Sequence, residues 1–165
     1  MANFQFLLCL GDSITFGSRA AAGWPEYCVE RLTAETQLLW LAINWSVPGR
    51  TALELLRDLT AALGAVPRRT PGPGGAPYIV VLCIGANDAK VGTPVAVYQM
   101  LYRQILRQIT ATERERQVVC LAIPRFILGR GGFPYGTQAA QRVADLNAAA
   151  LTEARELGAT WLEPK

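Results

Sequence analysis

Shortly after its first apolar run the chain reads Gly11-Asp12-Ser13-Ile14-Thr15-Phe16-Gly17. A serine on a tight turn behind a strand presents its hydroxyl at the sheet edge, and its own N–H points toward an oxyanion formed on an attacked carbonyl. Ser13 suits that nucleophilic role; the alternative is that Asp12 or Ser13 merely caps a short helix. Two more segments occupy equivalent positions behind apolar runs, Asn44-Trp45-Ser46-Val47-Pro48-Gly49-Arg50-Thr51 and Gly85-Ala86-Asn87-Asp88. Gly49 has no Cβ to keep its N–H away from a ligand, although a lone turn glycine reads the same way. Asn87 offers an amide donor able to complete an oxyanion hole, with an Asx turn or helix cap as the plainer reading. Each signal is weak alone. Together they fall at three successive strand ends, where open parallel sheets bind their ligands.

The elements that must position these residues are legible from periodicity. Phe4 to Leu10, Leu38 to Asn44, Tyr78 to Ile84 and Val118 to Ile123 are apolar runs of the length and continuity expected for buried parallel strands, and Thr160 to Leu162 begins a fifth. Between them lie helical stripes: Tyr98, Leu101, Ile105 and Ile109, then Val143, Leu146, Ala150, Ala154 and Leu157. Ala52 to Leu63 is a shorter helix, and Pro25 suits the first turn of one running to about Leu32. Strands alternating with helices imply right-handed crossovers, hence an α/β fold with a mainly parallel sheet between helix layers. The Pro/Gly-rich stretch from Pro67 to Pro77 reads as a loop within a single domain spanning residues 1–165.

Composition narrows the function classes. The net charge of +3 comes from fourteen Arg and two Lys against thirteen acidic residues, scattered without any block that would suit a nucleic acid or a lipid headgroup surface. No apolar run approaches the ~20 residues of a membrane span, so a soluble protein is expected. Cys9, Cys83 and Cys120 sit in apolar runs and Cys28 in a helical stretch, with no metal-ligand spacing. Free buried thiols and the lack of a basic region before Phe4 point to a cytoplasmic location. No dinucleotide fingerprint or Walker lysine follows any glycine-rich loop. Further candidate substrate contacts are Asp12 and Asp88, beside the presumed oxyanion hole, and Trp24 and Trp45, whose alternative is core packing. Arg125 and the stretch from Gly129 to Gly136 follow the fourth run and could form a rim or lid.

By motif, order and spacing the chain resembles the SGNH hydrolase superfamily, the GDSL esterases and lipases. Gly11-Asp12-Ser13-Ile14-Thr15 is similar to the family's first block, Gly49 within Asn-x-x-Val-x-Gly-x-Thr to its second, and Gly85-Ala86-Asn87-Asp88 to its third. The resemblance implies a three-layer α/β/α sandwich with a flavodoxin-like sheet and a serine ester hydrolase acting on small acyl, aryl or acetyl esters. It further implies Ser13 as nucleophile, an oxyanion hole from the Ser13 N–H, the Gly49 N–H and the Asn87 side chain, and no metal or organic cofactor.

The family's last block, Asp-x-x-His after the final strand, has no counterpart, and the sequence contains no histidine. A serine hydroxyl is weakly nucleophilic until a neighbouring base takes its proton. Asp88, Asp145, Lys90 and Lys165 offer no convincing substitute. Poor activity is therefore expected of these residues alone, with the final catalytic segment missing from the sequence. The competing expectation is a non-catalytic domain that retains the pocket but has lost turnover. A flavodoxin-like nucleotide binder is a third reading, resting on topology alone.

Overall fold

The computed structural model describes residues 4–18, 23–67, 78–111, 116–125, 128 and 136–164. Its centre is a five-stranded parallel sheet: β1 (Phe4–Gly11), β2 (Leu39–Ser46), β3 (Tyr78–Cys83), β4 (Arg116–Leu121) and β5 (Thr160–Leu162), in the order β2-β1-β3-β4-β5. The continuous apolar run of β1 has a direct cause. Leu8 and Leu10 face one helix layer while Leu7 and Cys9 face the other, and all four are essentially inaccessible to solvent. No polar alternation is possible for a strand covered twice.

Among the described residues six helices connect and cover the sheet: α1 (Ser13–Phe16), α2 (Trp24–Thr36), α3 (Ala52–Gly64), α4 (Ala86–Val91), α5 (Val95–Thr110) and α6 (Thr137–Glu156). The larger core joins α3, α5 and α6 to one sheet face, through Leu55, Leu59, Tyr98, Ile105, Val143 and Leu146. The smaller core sets Trp24, Cys28, Val29 and Leu32 of α2 against Leu7, Cys9, Trp40 and Val81. The result is a three-layer α/β/α arrangement. Helix α3 starts where it does because Thr51 and Glu54 form a capping box, the Thr51 N–H donating to Glu54 Oε2 at 2.8 Å. Both expected stripes are buried, α5 through Tyr98, Leu101, Ile105 and Ile109, and α6 through Val143, Leu146, Ala150 and Ala154, except that Leu157, the last residue of the second, is the C-cap of α6 and only half-buried.

Several boundaries differ from expectation. β2 extends to Ser46, so Asn44 and Trp45 lie inside the strand, because parallel pairing with β1 persists to the Gly11–Ser46 level. β4 begins two residues earlier and ends at Leu121, its register set by pairing of Arg116 with Tyr78. Helix α2 runs past Leu32 to Thr36 and stops at Gln37, whose φ of 56° leaves the helical region. The short α1 and α4 are too brief to show a periodic pattern. The loop read from Pro67 to Pro77 and the rim read from Gly129 to Gly136 lie largely outside the described residues. The four cysteines are free, three of them buried, and no described helix is long and apolar enough to cross a membrane.

Candidate active site

Gly11 pairs with Ser46 on one side and Cys83 on the other, so the chain leaves three neighbouring strands at one level. In this strand order the connections from β1 and β3 depart to opposite faces, and in open parallel sheets the carboxyl edge at such a switch point is where ligands bind. Ser13, Gly49 and Asn87 all follow these strand ends. The three segments are also bonded together: the Val47 N–H donates to Gly11 O at 3.2 Å, and Asn87 Nδ2 donates to Arg50 O at 3.0 Å.

Both readings of the first motif hold at once. Asp12 caps α1, its Oδ1 accepting the Ile14 N–H at 2.9 Å, and Ser13 is the first helical residue. A first-turn N–H has no intrahelical acceptor, and among the described residues nothing else accepts that of Ser13. The Gly49 N–H is likewise without an acceptor among the described residues. Gly49 is exposed and has φ of 84°, a conformation L side chains avoid, so the glycine is required by the backbone even where space for a Cβ exists. At Gly85, φ is 124° and a Cβ would lie 2.7 Å from the Tyr98 hydroxyl. That hydroxyl is itself buried and donates to Ile84 O at 2.9 Å, fixing the turn that carries Asn87.

Two expected substrate contacts are corrected by burial. Asp88 is wholly inaccessible, with Oδ2 accepting the Ala52 N–H at 2.9 Å and Oδ1 accepting from Thr93 Oγ1 at 3.2 Å. It braces the start of α3 against α4 and has no face for a ligand. Asp12 is 1% exposed and likewise turned inward. Burial raises its pKa to about 6; the Ile14 and Ala86 amides pull it down, and the charge of Asp88 pushes it further up. Burial also raises the Asp88 carboxyl, against the lowering effect of its bonds from Ala52 and Thr93.

Trp24 and Trp45 are half-buried and each packs against a core cluster, Trp24 on the α2 side and Trp45 on the other. Trp40 is 9% exposed, its Nε1 donating to Thr36 Oγ1, and it belongs to the smaller core. Arg125 is exposed at the rim of a cavity of about 620 Å³ that also involves Ile123, Asn147, Leu151 and Glu163, at the ends of β4 and β5. A smaller cavity of about 430 Å³ is bordered by Val47, Gly49, Arg50, Arg57 and Asp58. The smaller one adjoins the candidate site, because it includes Gly49. Among the described residues no group of His, Cys, Asp and Glu could hold a metal ion.

Sequence reasoning passed over Arg50. Its side chain is 7% exposed, with Nη1 donating to Trp45 O at 3.0 Å and Nη2 to Asp58 Oδ2 at 2.8 Å. An arginine after a turn glycine is ordinarily solvated, so nothing in the local pattern flagged it.

Known proteins resemble this chain in sequence and in fold. Over 120 residues the chain is 28% identical to thioesterase 1/protease 1/lysophospholipase L1 of Escherichia coli (strain K12), an alignment covering 72% of this chain. It covers 51% of that relative, so the chain spans about half the length of the curated relatives it matches. The fold is shared with the psychrotrophic esterase EstA from Pseudoalteromonas sp., at TM-score 0.68 and 19% identity, over 97% of this chain and 76% of that one. It is shared as well with AlinE4, an SGNH-hydrolase family esterase, at TM-score 0.73 and 16% identity, over 98% of this chain and 77% of the other. Residues 9–164 match the model of the GDSL-like Lipase/Acylhydrolase family, and the chain belongs to that family.

Proposed function

We propose that this chain supplies the nucleophile and oxyanion hole of a serine ester hydrolase acting on small acyl, aryl or acetyl esters, with Ser13 attacking the carbonyl. The observation that carries the reading is the pair of open N–H donors at Ser13 and Gly49, set beside the Asn87 amide at one sheet edge. Donors left open at a strand switch point suit the charge that develops on a carbonyl oxygen during acyl transfer.

The 165 residues contain no histidine, and none of the carboxylates weighed above replaces it. Asp88 has both oxygens engaged, and Asp145 is exposed on α6, accepting from Gln141 at 2.8 Å. The base that activates Ser13 therefore comes from outside these residues. An Asp-x-x-His within roughly 30 residues of downstream coding sequence, about one further βα unit, is the expected source. Without that base, an oxyanion hole and binding still leave about 10³- to 10⁴-fold acceleration over water in serine hydrolases.

The test is p-nitrophenyl acetate hydrolysis by the chain and by its Ser13→Ala variant, each with and without added imidazole. A Ser13-dependent rate, raised further by imidazole, is expected. Equal rates for the two proteins under both conditions would overturn the proposal. They would favour the second reading, a non-catalytic domain that binds acyl or carbohydrate ligands, for which the missing histidine is the motivating observation.

A further inference from the structure

The main chain of Arg50 and two of its guanidinium nitrogens are bonded to the segments around the candidate site. Its N–H donates to Val47 O at 3.2 Å, closing the turn that contains Gly49. Its carbonyl oxygen accepts from Asn87 Nδ2 at 3.0 Å. Its guanidinium spans from Trp45 O, at the end of β2, to Asp58 on α3. A guanidinium that is 7% exposed carries a desolvation penalty of several kcal/mol unless it is paired. Here it is paired to a backbone carbonyl and to a carboxylate that remains 53% exposed. Any smaller polar residue would close the turn through its N–H and present the same carbonyl. Only a long cation also ties that turn to both elements flanking it.

We infer that Arg50 is a positioning residue for the oxyanion hole, setting the Gly49 N–H through the turn and the Asn87 amide through its own carbonyl. The inference rests on the esterase reading above. Nδ2 carries two N–H groups, and binding one of them to Arg50 O fixes the amide plane and hence the direction of the other. The Gly49 N–H depends on a turn held at one end by the Val47 bond to Gly11 and at the other by the Arg50 guanidinium. Arg50 itself touches no substrate in this scheme.

The experiment is the rate at which a fluorophosphonate labels Ser13, in imidazole buffer, for the wild-type chain, Arg50→Met, Asn87→Ala and the double variant. Loss of one oxyanion donor reduces rates by about 10²- to 10³-fold, so Arg50→Met is expected to slow labelling by about tenfold or more, though less than Asn87→Ala. In the Asn87→Ala background the further loss should shrink, because the share transmitted through Asn87 is already gone and only that through the Gly49 N–H remains. Equal labelling of wild type and Arg50→Met, or full additivity in the double variant, overturns the positioning role. No labelling of the wild type instead removes the esterase reading. Should Arg50→Met lack a cooperative melt, Asp58→Asn decides, since that partner is half-exposed and the variant keeps the arginine. A slower rate there supports the role, and an unchanged rate overturns it.

Discussion

Two polar regions of this molecule are buried to similar depth and treated in opposite ways. Between α5 and α6, Glu153 is inaccessible to solvent, yet its oxygens receive bonds from Gln99 Nε2 at 2.7 Å and from Nε and Nη2 of Arg103. At the carboxyl edge of β1 and β2, Asp12 Oδ2, Thr15 Oγ1, Asn44 Oδ1 and Ser46 Oγ are buried without a partner among the described residues. A buried polar group left unpaired costs about 1 to 3 kcal/mol, and four of the six such atoms among the described residues lie at this edge, the others being Gln5 Oε1 on β1 and Tyr102 Oη on α5. The helix pair uses charge to fix packing, whereas at the sheet edge four buried polar atoms have no bonding partner among the described residues.

That contrast can be broken or sharpened by substitution. The largest effect is expected for Asn87→Ala, which should remove about 2.7 to 4 kcal/mol of transition-state stabilisation and leave the melting temperature nearly unchanged. A loss under tenfold in the rate of Ser13 labelling would make Asn87 a structural residue and erase the distinction. Next, Glu153→Ala should destabilise the fold by about 3 kcal/mol, near the low end for breaking a buried pair because Arg103 reaches solvent. Urea denaturation measures it, and Ser13 labelling should stay at the wild-type rate.

Asp12→Asn probes the edge through pH. Because the folded chain holds this carboxyl at about 6 against an ordinary 3.8, it binds the proton more tightly than the unfolded chain. Its contribution to stability is therefore full below about pH 4 and is lost as pH rises through about 6. That gap corresponds to about 2 to 3 kcal/mol. Asparagine keeps the cap on Ile14 and removes the titration, so the variant should hold its stability from pH 4 to 7 while the wild type declines. Parallel denaturation curves for the two proteins across that range would exclude the assignment. The smallest effect, about 1 kcal/mol of stability, is expected for Thr51→Ala, which removes the capping box of α3. Its melting temperature should fall by a few degrees.

How much of this was legible beforehand varies with the scale of the interaction. The five strands and the four longer helices were readable because each is a run or stripe of apolar residues, and those patterns reflect burial directly. The helices α1 and α4 were not, since four and six residues show no period. Ser13, Gly49 and Asn87 were picked out by their place behind apolar runs, and the sheet places all three segments at one edge. Asp12 and Asp88 were misread as ligand contacts, because a carboxylate beside a motif looks the same in sequence whether it faces solvent or the protein interior.

The sequence by itself determined the α/β architecture through its local hydrophobic pattern, and the family through the motifs at three strand ends that also mark the candidate site. Only the tertiary structure decided which polar atoms are satisfied. Arg50 meets Trp45, Asp58 and Asn87 through contacts spanning up to 37 positions of chain, and Asp88 reaches Ala52 across 36. Such partners are chosen by the packing of strands and helices, and no local periodicity encodes them.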